Sequence, residues 1–174
     1  MARSSNFWGH YSEAKFKQIA AERVKKMQWS VLPFSEHKGK TLPEILVRDI
    51  DWFFWMQPKL YGRIGEEAED LARKARAIKI PASFGKNVEI EYRFEMGDRF
   101  CGFGIVEAGE AHNSRWSTRL PYLDLYWPFR RNYDKRTGGI MIRDFRRHYF
   151  GKNKRLTKER CETFFSKRRN FIGA

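Results

Sequence analysis

No stretch of this chain approaches the roughly 18 consecutive apolar residues of a membrane-spanning helix. Its first residues, Met1-Ala2-Arg3-Ser4-Ser5-Asn6-Phe7-Trp8, lack the apolar core of a secretory signal. A cytoplasmic location is therefore expected, with nucleoid or nuclear association if the chain follows DNA. Cysteine is scarce. Cys101 and Cys161 stand far apart and in no CxxC or Cys/His ligand spacing, which excludes a disulfide scaffold and speaks against a structural zinc site. They read as two small buried thiols in a reducing compartment. Also absent are a Walker A loop, a GxGxxG after a strand, HExxH and GxSxG, as well as internal repeats and low-complexity runs. No cofactor is expected.

Acidic residues are the minority, 21 Asp and Glu against 35 Lys and Arg, for a net charge of +14 and a pI near 10.0. Such a field attracts polyanions and raises encounter rates with them. Nucleic acid is the commonest polyanion met by a folded intracellular protein; an acidic protein is the competitor, and a membrane partner is not expected. Apolar residues make up 41% of the chain and aromatics 16%, enough to bury a core. The 174 residues suit one domain or two small ones.

Residues 1–80 read as a mainly helical section. Ser12 suits an N-cap, and Phe16, Ile19, Ala20, Val24 and Met27 follow at helical spacing. Trp29 to Phe34 has strand character, and His37-Lys38-Gly39-Lys40 is a turn with Gly39 free to take positive φ. Thr41 is placed to cap a short helix carrying Leu42, Ile45 and Leu46, with Pro43 in its first turn. Asp51 begins another short helix through Met56, which Pro58 is expected to end. From Gly65 to Ile78 the helical stripe returns, with acids near its start and cations near its end, the order that suits the helix dipole.

Residues 81–129 read as strands. Val88, Ile90, Tyr92 and Phe94 alternate with Glu89, Glu91, Arg93 and Glu95, the period of a half-buried strand. Met96-Gly97-Asp98 suits a hairpin turn and Phe100 to Val106 the returning strand. A polar loop is expected over 108–117 and a third strand over Leu120 to Trp127. The fold class that follows is α+β: helical N- and C-terminal parts around a small antiparallel sheet. The sections 1–80 and 81–174 are compatible with packing as one unit.

Residues 130–174 hold fifteen cations against four carboxylates, so +11 of the +14 lies in a quarter of the chain. Aromatics are interleaved: Tyr133, Phe145, Tyr149, Phe150, Phe164, Phe165 and Phe171. Most of these are expected in the core, with base stacking as their other use. Gly138 and Gly139 are expected to precede a helix over Ile140 to Tyr149, and Thr157 to cap a final helix with Cys161, Phe164 and Phe165 inward. This composition matches a phosphate-tracking surface with stacking partners. The cations assigned to it are Arg130, Arg131, Lys135, Arg136, Arg143, Arg146, Arg147, Lys152, Lys154 and Arg155. Arg143, Arg146 and Arg147 fall within about one helical turn, and guanidinium forks suit phosphates bidentately. Lys38 and Lys40 join the set, because a basic turn before a helix start offers N–H groups and ammonium groups to a phosphate. The same turn also reads as an ordinary solvated hairpin, and a lone exposed His37 is usually neither ligand nor catalyst.

The run Leu32-Pro33-Phe34-Ser35-Glu36-His37-Lys38-Gly39-Lys40-Thr41-Leu42-Pro43-Glu44-Ile45, followed by Asp51-Trp52-Phe53-Phe54-Trp55, resembles a short module from the C-terminal region of exodeoxyribonuclease X-like proteins. The resemblance covers about residues 29–80, and Ser35-Glu36 stands where the pattern prefers Gly-Lys. It implies proximity to nucleic-acid processing without implying cleavage, since the exonuclease catalytic domain lies outside the module.

Metal-dependent nuclease chemistry needs several carboxylates converging on cations. Glu89, Glu91, Glu95 and Asp98 lie on or near one predicted hairpin, with the glutamates mostly on a polar strand face where solvated carboxylates are ordinary. No PD…(D/E)xK, HNH or DEDD-type set is legible, so no catalytic residue and no metal ligand is assigned. The function expected is a nucleic-acid-binding accessory or regulatory protein, with DNA favoured over RNA. The first alternative is an inhibitor or adaptor docking on a nucleoprotein machine, for which the small size suits a phage or mobile-element origin. The second is a metal nuclease using the acidic hairpin.

Overall fold

The structure, a computed structural model, describes residues 29–95, 98–112, 115–131 and 133–173. The helix expected after Ser12 and the turn residues Met96 and Gly97 lie outside the described residues. The chain enters as a turn: Leu32 N donates to Lys40 O and Gly39 N to Leu32 O, each at 2.9 Å. Val31 bridges Thr41 across this turn. Gly39 has φ +85°, the left-handed conformation that glycine takes without steric cost. The expected strand is thus a single bridge.

Three helices follow: α1 (Leu42–Leu46), α2 (Ile50–Met56) and α3 (Gly62–Ala75). All five residues of α1 are buried, and it touches α2, α3 and the last helix of the chain. Pro43 sits in its first turn. The Thr41 hydroxyl caps nothing and is buried with no hydrogen-bond partner among the described residues. Helix α2 ends at Met56, as expected ahead of Pro58, and the chain tightens into a 3-10 turn, Gln57–Lys59. Helix α3 starts before Gly65. That glycine sits inside the helix because a Cβ there would stand 2.6 Å from the Leu60 carbonyl oxygen. Ala68, Leu71, Ala72 and Ala75 form its buried stripe.

The sheet is three-stranded and antiparallel in the order β2-β1-β3, from β1 (Val88–Glu95), β2 (Arg99–Glu107) and β3 (Ser117–Leu120). Pairing steps from Arg93↔Gly102 to Phe94↔Phe100, so Cys101 is the extra residue of a β-bulge. The third strand ends where it was expected to begin. Pro121 lacks the N–H that would continue the ladder, and the chain then turns to α3. Ile78 and Leu123 exchange hydrogen bonds of 2.9 and 2.8 Å, and Leu125 N donates to Ala75 O at 2.9 Å. Leu123 and Leu125 are fully buried as anticipated, but outside the sheet: Leu123 through an isolated bridge to Ile78 and Leu125 on the end of α3.

Helix α4 (Lys135–Phe145) is capped by Asp134, whose side chain accepts from Thr137 N at 2.7 Å. Gly138 and Gly139 lie inside it, not before it. The helix runs along the β2 edge, where the Asp144 carboxylate accepts the Phe103 N–H at 3.1 Å. A π-helical turn (Arg146–Phe150) continues it until Gly151. Helix α5 (Lys158–Ser166) is capped by Thr157 as expected, with Cys161 and Phe165 buried and Phe164 only partly so. One continuous set of buried side chains joins α1, α2 and α3 to the sheet, α4 and α5, among them Ile45, Phe53, Leu71, Tyr92, Phe103, Phe145 and Phe165. Each contributes about 1.5–3 kcal/mol on full burial. The fold is α+β, with helices before and after the antiparallel sheet.

Candidate nucleic-acid interface

The turn before α1 is less free than its sequence suggests. Lys38 is exposed, but Lys40 is half-buried with its Nζ 3.2 Å from His37 Nδ1. His37 is only 5% exposed, a correction to the solvated histidine expected there. Its Nε2 lies 3.0 Å from Asp49 Oδ2, and its ring meets the Trp52 ring edge-on at 4.5 Å. The turn thus folds over the start of α2. Glu36, His37 and Asp49 hold ligand atoms within 4.8 Å of one another, but the set suits a metal poorly. An ammonium only donates, so Nδ1 is the acceptor and Nε2 carries the proton toward Asp49. A metal on Nε2 wants an acceptor behind Nδ1, and Lys40 stands there instead.

The expected cations divide into two groups. Arg130 faces Asp124 at 3.7 Å and lies 4.7 Å over the Trp127 ring. Arg131 pairs with Asp98 at 2.8 Å and lies 4.4 Å over Phe94. Arg143 Nε donates to Asp144 at 2.8 Å. These three are held by carboxylates and rings. Arg146 and Arg147 lie past α4 in the π-helical turn, so the three arginines do not share one helical turn as free forks. Lys135 and Arg136 are exposed in the first turn of α4, an end where the helix dipole disfavours cations. Lys152, Lys154 and Arg155 are exposed on the loop before α5.

Among the described residues the structure gathers a concave basic site. An open cleft of about 660 Å³ lies between the π-helical turn and α5, and Lys154, Arg160, Lys167 and Arg169 line it. Tyr149, Phe150 and Phe164 contribute ring surface to the same cleft. All three are partly buried, whereas Phe145, Phe165 and Phe171 are closed inside the core. The expectation that most of these aromatics are core residues therefore holds in full for the inner three and in part for the outer three, which pack against the core, while Tyr133 is exposed. Phe150 and Phe164 meet at 5.2 Å between centroids and 47° between planes. The Tyr149 hydroxyl is shut from solvent with no hydrogen-bond partner among the described residues, and burial pushes its pKa well above the ordinary phenol value.

Of the cations assigned from sequence, the cleft takes only Lys154; Lys38 and Lys40 do not line it. Arg160, Lys167 and Arg169 had not been singled out. A signal was present. Arg160, Thr163, Phe164 and Lys167 fall at i, i+3, i+4 and i+7, one face of a helix. That face is the α5 wall of the cleft.

On the acidic hairpin Glu95 is exposed, as expected of a solvated strand face, but Glu91 is not. Glu91 is 1% exposed. It accepts from Arg119 Nη2 at 3.1 Å and Nε at 3.2 Å, and from the Ser117 hydroxyl at 3.2 Å. Glu91 and Arg119 face each other across β1 and β3, so this carboxylate anchors an edge strand. Both thiols are disfavoured as thiolates: burial pushes the Cys161 pKa up to about 12 and raises that of Cys101. No helix among the described residues is long and apolar enough to cross a membrane. Comparisons of the chain with family models, curated proteins and solved structures find no match.

Proposed function

We propose that this protein binds nucleic acid, DNA in preference to RNA, through phosphate contacts from its C-terminal basic segment, as an accessory or regulatory protein in DNA processing. One observation carries the reading. Ten cations, Arg146, Arg147, Lys152, Lys154, Arg155, Lys158, Arg160, Lys167, Arg168 and Arg169, are exposed, and no carboxylate among the described residues pairs with any of them. Cations crowded without counter-charges destabilise the compact state by mutual repulsion. A polyanion relieves that cost and releases its own condensed counterions on binding. The partly exposed rings beside these cations supply stacking surface of the kind used for bases. The resemblance of residues 29–80 to the exodeoxyribonuclease X C-terminal module points the same way, toward DNA processing, and assigns no cleavage.

The test is a salt titration with labelled single- and double-stranded DNA and RNA. Affinity should fall with a log–log slope of roughly −0.9 for each phosphate neutralised on duplex DNA. Joint replacement of Lys152, Lys154 and Arg155 by Gln should weaken binding to every sequence alike and flatten the slope by about 2 to 3. Absence of binding at low salt would overturn the reading and leave the basic face to an acidic protein partner.

A further inference from the structure

We infer that the cleft between the π-helical turn and α5 receives one unpaired nucleotide, its base on Phe150 and Phe164 and its phosphate on the surrounding cations. This rests on the nucleic-acid reading above and sharpens it from a charged face to a site for a single-stranded unit.

Three features of the cleft converge on this ligand. A surface that only tracks phosphates has no use for rings, yet Phe150 and Phe164 lie partly open on the cleft wall. An apolar groove for a protein helix would not be rimmed by Lys154, Arg160, Lys167 and Arg169, with Glu159 the one carboxylate in the lining. The volume of about 660 Å³ falls within the roughly 300–1,000 Å³ of clefts that enclose small ligands. Tyr149 contributes ring surface to the same cleft, while its hydroxyl is shut inside the protein and takes no part. Thr163, also in the lining and exposed, offers a hydroxyl to a base edge, whereas the Asn170 amide nitrogen already donates to Phe164 O at 2.8 Å.

The geometry also selects against duplex. In a double helix the base faces are stacked on one another, so a concave site with ring walls meets only the sugar-phosphate ridge. A base must be unpaired, or extruded at an energetic cost, before it enters such a site. Duplex DNA is therefore held by the outer cations alone, and single strands by the cations and the rings together.

The experiment compares a labelled thymidine oligonucleotide of about twelve residues, within the usual site size of such binders, with a duplex of the same length. Two variants probe the cleft. Phe150→Leu removes a ring and keeps apolar bulk. Thr163→Trp fills the cleft from an exposed position on α5, so it decides the matter should Phe150→Leu fail to fold by circular dichroism. Each should weaken single-strand binding about five-fold or more and change duplex binding by less than about two-fold. Folded variants that bind single strands as tightly as the parent, or that lose both forms equally, would overturn the cleft assignment while leaving the basic face intact. A parent protein that binds neither form would sink the nucleic-acid reading itself. Competition with thymidine 5′-monophosphate identifies the source. Displacement of the oligonucleotide shows that a free nucleotide suffices, and displacement by unlabelled oligonucleotide alone shows that a strand must deliver it; both results support the site.

Discussion

Two adjacent glycines of α4 should respond to the same substitution with opposite signs. In a helix interior alanine is favoured over glycine by about 1 kcal/mol, so propensity alone predicts that Gly138→Ala and Gly139→Ala both stabilise. At Gly139 a new Cβ meets nothing within 4 Å, and the expected gain is about 0.5–1 kcal/mol. At Gly138 it would stand 2.9 Å from Ile50 Cγ2 and 3.0 Å from Asp51 Oδ1, well inside the ordinary 3.5–4.0 Å contact distance. Ile50 is 1% exposed, so its side chain cannot swing into solvent. Overpacking of this kind costs about 1–3 kcal/mol. The net result at Gly138 is a loss of about 0.5–2 kcal/mol, and the gap between the two variants is about 1–3 kcal/mol. Urea midpoints at unchanged slope would report it. Thermal midpoints should move in opposite directions by about 2–4 °C per kcal/mol for a chain of this size. Equal shifts of the same sign would refute the close packing of α4 on α2.

Three further outcomes are expected. Glu91→Ala should cost about 3–5 kcal/mol, because it leaves the Arg119 guanidinium inside the protein without its counter-charge; removing Arg119 as well should cost clearly less than the two single losses added together, read by a double-mutant cycle in urea. A thiol reagent at mildly alkaline pH should leave Cys161 unmodified in the native protein, because burial raises its pKa to about 12, and modify it only after denaturant is added; a rapid second equivalent from native protein would contradict that. Partial burial pushes the Asp70 carboxyl up, but Lys74 and Arg73 outweigh it and hold the group below its ordinary value. A depressed folded pKa contributes stability above the unfolded value near pH 4 that is lost as pH falls through the folded value. Asp70→Asn should therefore cost about 0.3–1 kcal/mol at pH 7, as partly exposed pairs do, and nothing once both states are protonated in strong acid; a cost that persists there would show a different cause.

Local chemistry was legible wherever it acts through the chain itself. Gly39 in its turn, Pro43 in a first helical turn, Thr157 as a cap and the alternation of Val88 to Phe94 all depend on neighbours within a few residues. The errors arose where distant parts meet. Gly138 and Gly65 read as helix boundaries because glycine is a poor helix former, yet each is inside a helix because another backbone or side chain approaches closely. Leu123 and Leu125 alternate like a strand, but Pro121 ends the ladder, and Ile78 and the end of α3 take them. Glu91 looks solvated on a strand of period two until Arg119 arrives from β3. His37 looks exposed until α2 closes beneath it.

The same division applies to the candidate interface. Charge is a property of composition, so the excess of +11 over residues 130–174 was settled by the amino-acid sequence. Which cations stay available was not. Arg130, Arg131 and Arg143 meet Asp124, Asp98 and Asp144, and Asp98 reaches Arg131 from a distant part of the chain. Lys154, Arg160, Lys167 and Arg169 gather around Phe150 and Phe164 only because α5 packs back toward the π-helical turn. Sequence determines how much charge and how many rings the chain carries and which local turns it makes. Tertiary structure decides which charges are neutralised and which rings remain at the surface, because both depend on groups brought within a few ångströms across long separations in the chain.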